Sequence, residues 1–252
     1  MRELLAGLID YAGVFPPAAL PLDQALTNYA RYQTSPEAWM LGRFVLPVAQ
    51  VILSPAKQVR FSAIVGDGDL DKIPPHVDSI EMKVSTPAQI ESAAARISKN
   101  VTTYFEITDL TLLPVIRAVG ARAKSRTGGI TPDAFPPASQ IAEFLVACAR
   151  ANVAFKATAG LHHPLRCYRP LTYAADGPSG WMYGFLNVFT AAIFARRGVT
   201  NLEQILLAES PDDLPRVDDP GEVAAVRRDF AISFGSCSFE EPVADLKALR
   251  LI

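Results

Sequence analysis

The chain has 252 residues, of which 50% are hydrophobic and 20% charged, with a formal net charge of −2. That composition supplies one large core, and it excludes a disordered chain or a nucleic-acid or anionic-membrane partner held by a basic face. No apolar run reaches the roughly 18 residues that would cross a bilayer. Cys148, Cys167 and Cys237 lack metal spacing, and Met1-Arg2-Glu3-Leu4 lacks a leader pattern, so the expectation is a cytoplasmic protein.

In chain order, β-rich runs fall at Gly7–Tyr11, Arg43–Val48, Arg60–Gly66, Ser79–Val84, Thr103–Thr108, Ala121–Arg126, Val153–Ala159 and Phe230–Gly235. Helical stretches separate them. Pro21–Tyr32 and Asp109–Val119 show apolar periodicity, and Pro87–Ile97 follows the candidate caps Ser85 and Thr86. Ala138–Ala151 repeats Ile141, Leu145, Cys148 and Ala149 near the helical period. The segment after Arg60–Gly66 is short and broken by prolines, which argues against a full helix there. Strands alternating with helices at this length predict a single (β/α)8 barrel, a TIM barrel, over residues 1–252. Residues 161–229 are too long for one loop and one helix, so they are expected to form a helical insertion or lid that includes Trp181–Arg196.

Side chains alternate along a strand, and in a barrel the outward set must be apolar because helices cover it. If Ile80, Met82 and Val84 face outward, Glu81 and Lys83 face the axis. The same reasoning turns Glu106, then Lys124 and Arg126, then Lys156 inward on the three following strands. Barrel interiors are ordinarily filled by Val, Ile and Leu, and buried charges persist only when paired or used. The set is therefore either a salt-bridge network or an active centre at the C-terminal ends of the strands.

Ala123-Lys124-Ser125-Arg126-Thr127-Gly128 resembles the Lys-Thr-Ser-Thr-Gly strand of the deoxyribose-phosphate aldolase family of class I aldolases. Phe155-Lys156-Ala157-Thr158-Ala159-Gly160 is similar to that family's second lysine strand, one strand–helix–strand step later. Ile9-Asp10-Tyr11, Asp78-Ser79-Ile80-Glu81, Phe105-Glu106-Ile107-Thr108 and Phe234-Gly235-Ser236-Cys237-Ser238 are similar to further family segments in the same order. The resemblance implies that Lys124 forms the Schiff base, Lys156 is the second lysine and Glu81 the acidic proton relay, with Gly235 and Ser236 at a substrate phosphate. Three features depart from the family and leave the substrate open. These are Leu161-His162-His163-Pro164 after the second lysine strand, Arg126 beside the nucleophile, and the length of 161–229.

An imine-forming lysine must attack as the neutral amine, and a second cation such as Lys156 or Arg126 would lower its pKa. Arg126 suits a carboxylate or phosphate, or else an ion pair with Glu106. Gly128 and Gly129 offer backbone N–H groups to an anion or simply form a turn. Ser236 to Ser238 before a helix suggests an anion site, or plain capping by Ser238. Asp10 and Lys83 join the candidate substrate contacts, and of His162 and His163 one is expected to be an acid–base group or substrate contact and the other solvated. The imine reading needs no cofactor and assigns no metal, although one histidine with Glu81 and Glu106 would supply donors for a divalent ion. Trp181, Tyr183, Phe185 and Phe189 would form helix core, a lid or a subunit interface, which leaves a homo-oligomer open. The reading is thus a class I aldolase or related carbon–carbon lyase acting on a small, anionic carbonyl compound. Its alternatives are a non-covalent or metal-assisted barrel isomerase or lyase, and a non-catalytic anion-binding barrel.

Overall fold

The computed structural model describes residues 1–54 and 59–252. Eight parallel strands close into a barrel. In chain order the strands are β1 (Ile9–Tyr11), β2 (Leu41–Pro47), β3 (Phe61–Val65), β4 (Ser79–Lys83), β5 (Thr102–Glu106), β6 (Arg122–Arg126), β7 (Phe155–Thr158), β8 (Cys167–Pro170), β9 (Ser179–Met182) and β10 (Ala231–Ser236). The barrel order is β1-β10-β7-β6-β5-β4-β3-β2, while β8 and β9 form a separate antiparallel hairpin. This is the (β/α)8 architecture, with strand ends shifted by one or two residues from the sequence expectation.

The helices form where local chemistry permits. Pro87–Arg96 begins with a capping box, in which Gln89 N donates to Thr86 Oγ1 at 3.3 Å and Thr86 N to Gln89 Oε1 at 3.2 Å. Ala138–Ala151 ends at Asn152, which takes the left-handed conformation at φ 51° and satisfies the last carbonyls. After β3 the chain makes only the 3-10 turn Asp67–Lys72, because Pro74 and Pro75 follow within one turn.

The segment 161–229 holds helices as expected but also a hairpin that the sequence did not suggest. It opens with the β8–β9 hairpin, and Trp181 stands on β9, half exposed, with the Arg166 guanidinium stacked over its ring at 3.7 Å. The helix starts later, at Phe185, and runs to Arg196. Nearly all its side chains are buried, and Phe185 and Phe189 lie 5.1 and 6.1 Å, centroid to centroid, from Phe234 of β10. A helix apolar on all sides belongs inside, so it serves as the barrel helix after β7, between Ala138–Ala151 and Pro220–Asp229. Glu203–Leu206 and Pro220–Asp229 complete the return to β10. No helix among the described residues is long and apolar enough to cross a membrane.

Candidate active site

The outward faces of β5, β6 and β7 bury Phe105, Ala123, Phe155 and Ala157 beneath the helices. Alternation therefore sends the charged residues to the axis. Lys124 and Lys156 are register partners across β6 and β7, and Glu106 is the partner of Lys124 across β5 and β6. Both amines meet one carboxylate: Lys156 Nζ lies 2.5 Å from Glu81 Oε1, and Lys124 Nζ 2.7 Å from Glu81 Oε2. Lys156 also donates to Asp10 Oδ2 at 2.7 Å, and Lys124 lies 2.8 Å from Glu106 Oε2. The result is a continuous chain of Asp10, Lys156, Glu81, Lys124 and Glu106, with Lys156 only 1% and Lys124 only 6% exposed.

Neutral donors complete the network. Ser62 Oγ donates to Glu81 Oε1 at 2.8 Å and Ser233 Oγ to Asp10 Oδ2 at 2.7 Å. Arg43 N donates to Asp10 Oδ1 at 2.7 Å, an approach that requires Gly42, since a Cβ there would lie 2.2 Å from that oxygen. Arg122 donates to the Tyr104 hydroxyl at 2.9 Å, and Lys156 Nζ sits 5.4 Å from the Tyr104 ring centroid.

These contacts set the charge states. Burial works to raise the Glu81 pKa, but Lys124 and Lys156 together outweigh it and hold the carboxyl at about 2. Burial works to lower Lys156, and Asp10 and Glu81 outweigh it, so its pKa is raised. The expected role of Lys156, a bare cation that depresses the pKa of Lys124, is therefore corrected. Its charge is neutralised by two carboxylates. Glu81 in turn is too acidic to carry a proton near neutral pH.

Above this network lies a cavity of about 430 Å³ at the C-terminal ends of the strands. Lys124, Glu81 and Glu106 reach it, as do Arg126, Thr158, Gly235 and His162, while Phe15, Pro16, Pro17, Val45 and Ile64 give it an apolar side. Lys156 and Asp10 do not reach it. Arg126 is exposed and, among the described residues, has no carboxylate at ion-pair distance, so it does not make the expected alternative pair with Glu106.

The other expected contacts separate. Lys83 is exposed and lines a neighbouring groove with Ser125 and Arg126, outside the cavity. Gly128 does not meet the cavity; a Cβ there would lie 2.3 Å from the Phe135 ring, so close packing explains it. Ser236 is buried below the lining, where its Oγ accepts from Ser238 N at 3.3 Å. The helix Glu240–Ala248 that follows carries Glu240 and Glu241 in its first turn, and Glu241 N donates to Ser238 Oγ at 3.1 Å. Two carboxylates at that terminus disfavour a phosphate there, and capping accounts for the serine.

The two adjacent histidines diverge. His162 is buried, lines the cavity and has Nδ1 2.9 Å from Glu241 Oε2. His163 Nδ1 lies 2.5 Å from Asp245 Oδ2 and lines a second chamber rather than this cavity. With His162 turned to Glu241 and both barrel glutamates on lysines, the envisaged divalent-ion site is not assembled. Among the described residues no group of three metal-donor side chains stands together. The turn that delivers His162 is strained at Ala159, which adopts φ 63°, whereas Gly160 takes φ 76° at no steric cost. Ala159→Gly should stabilise the fold by about 0.5–1 kcal/mol, read from urea unfolding, because only the Cβ penalises this conformation. An equal or lower stability would show that the turn is unstrained.

Sequence reasoning passed over Ser62, Ser233, Glu241 and Asp245. The two serines carried a usable signal, as polar residues on the inward faces of otherwise apolar strands. The helix carboxylates carried none, since Glu241 and Asp245 read as an ordinary solvated face. No protein-family model matches the chain, and no curated protein matches it.

Proposed function

We propose that this chain is a lyase that forms an imine between Lys124 and a small, anionic carbonyl compound, and makes or breaks a carbon–carbon bond beside it. One observation carries the reading: Lys124 is the amine that reaches the cavity, with Arg126, unpaired among the described residues, in the same lining. The lysine motifs of β6 and β7 support it as well.

Lys124 rests between Glu81 and Glu106, so it must pass on a proton before attacking. Glu106 is the group suited to take it. Its side chain is 14% exposed and touches one lysine, whereas Glu81 is fixed between two. Arg126 binds the substrate carboxylate or phosphate, and its fork geometry favours a carboxylate held in two bonds. The apolar wall of Phe15, Pro16 and Pro17 keeps water from the imine. Glu81, Lys156 and Asp10 hold the amine and its base in place and are positioning residues.

Borohydride reduction in the presence of small keto acids and hydroxyaldehydes, followed by peptide mass spectrometry, tests this reading. A reduced adduct on Lys124, lost in Lys124→Met, is expected. No adduct on any lysine would end the imine reading. The carboxylates on both amines favour a second reading, in which Lys124 stays an ammonium, polarises the carbonyl without bonding to it, and Glu106 acts as base. Turnover that survives borohydride and is lost in both Lys124→Met and Glu106→Gln would select it.

A further inference from the structure

We infer that His162 is the acid–base residue of this cavity, presented through Nε2 and oriented by Glu241. This role rests on the reading of the cavity as an imine-forming site, and it adds the group that moves the substrate proton.

Three observations converge on His162. Glu241 Oε2 lies 2.9 Å from Nδ1, which fixes the ring and favours the tautomer that leaves Nε2 without a proton. Nε2 has no hydrogen-bond partner among the described residues, yet it is not sealed inside the protein, so it opens onto free space. We assign that space to the cavity holding Lys124 and Arg126, because His162 is among the residues lining both this cavity and the adjoining chamber. The left-handed pair Ala159 and Gly160 bends the chain between β7 and His162. Backbone strain of this kind is kept where a side chain must be placed.

His163 supplies an internal contrast. Glu241 and Asp245 are four apart on one helix face, so each takes one of the two histidines. The chemistry is the same, but His163 does not line the cavity of Lys124. Position alone separates the catalytic pair from its neighbour.

With the substrate held as an iminium on Lys124, the C–H bond beside it breaks and its proton passes to His162 Nε2. The electron pair of that bond becomes the enamine C=C, and the iminium nitrogen is neutralised. Reversal returns the proton, or a deuteron in heavy water. Charged and titratable groups around His162 are Glu241 and Asp245 on the helix, Arg169 and Tyr173 near the hairpin, and Cys237 after β10. Arg126, Lys124, Glu81 and Glu106 face it across the cavity.

The experiment uses the whole chain with pyruvate in heavy water, reading methyl deuteration by NMR and borohydride adducts by mass spectrometry. Wild type is expected to exchange the methyl protons and to trap at Lys124. His162→Gln should lose exchange by about 100-fold, within the range of general acid–base effects, and still trap, which also shows that it folds. His163→Gln should keep both. In Glu241→Gln exchange should slow while the adduct still forms, because the ring loses the carboxylate that orients it. Exchange at the wild-type rate in His162→Gln, with the adduct still formed, overturns the inference and leaves the imine reading intact. If wild type itself forms no adduct, the imine reading falls alone and the ring is judged directly. A nitrogen-15 spectrum showing Nε2 protonated, or a His162 inert to diethyl pyrocarbonate, then overturns the assignment; an open, reactive Nε2 upholds it.

Discussion

Lys156→Met is expected to destabilise the fold by about 3–5 kcal/mol, the usual cost of removing one partner from a buried ion network. Methionine nearly matches the lysine stem in volume, so packing changes little and the loss isolates the charge. Asp10 would keep Ser233 Oγ and Arg43 N, and Glu81 would keep Lys124 and Ser62 Oγ, which places the loss toward the lower end. The double variant Lys156→Met, Asp10→Asn should recover part of it, because the amide brings no uncompensated charge. Arg126→Met should cost within about 0.5 kcal/mol, since that side chain is exposed and unpaired. Urea unfolding at neutral pH measures all three. A loss under about 1 kcal/mol for Lys156→Met would mean that the amine does not hold its two carboxylates. The two lysines thus differ in setting, since Lys156 is sealed between two carboxylates and Lys124 reaches the cavity.

The charged interior was legible because four consecutive strands declared their outward faces. Ile80 and Met82 on β4, and Phe155 and Ala157 on β7, leave Glu81 and Lys156 only the axis. Strand ends were less legible, because a parallel strand stops where its partner's hydrogen bonds stop, and that depends on register rather than on the residue itself. The hairpin β8–β9 was missed because Trp181 continues an aromatic run that reads as helix; its strand conformation comes from pairing with Tyr168 across the hairpin. Within the site, which charges turn inward could be read, but which charges pair could not. Glu81 reaches both lysines only because β4 stands two places from β6 and three from β7 around a closed barrel. Lys83, two residues further along the same face, sits past the end of that interior and meets the outer groove instead. His162 and Glu241 are far apart in sequence, and nothing local to either residue predicts their contact.

Stability should fall by about 3 kcal/mol as pH drops from about 4.5 to about 2, through the titration of Glu81 alone. A carboxyl whose folded pKa is depressed contributes its full stabilisation above the unfolded value and loses it as pH falls through the folded one. The two lysines pull Glu81 from 4.5 to about 2, which sets both ends of the window. Lys156 works in the opposite direction. Its raised pKa gives a contribution complete below the ordinary lysine value of 10.5 and lost only as pH rises beyond it. Because both ends describe the same contact, the energy is counted once, and the network predicts a plateau between the acid and alkaline limbs. In Glu81→Gln the protein should be less stable at neutral pH and should lose the part of the acid limb that Glu81 contributes. Urea midpoints measured from pH 2 to pH 7 decide the matter. An acid limb equally steep in wild type and Glu81→Gln would show that the barrel glutamate is not ionised between the two amines. The charge pattern assigned to the interior would then be wrong, and with it the proposed division between a structural lysine and a reactive one.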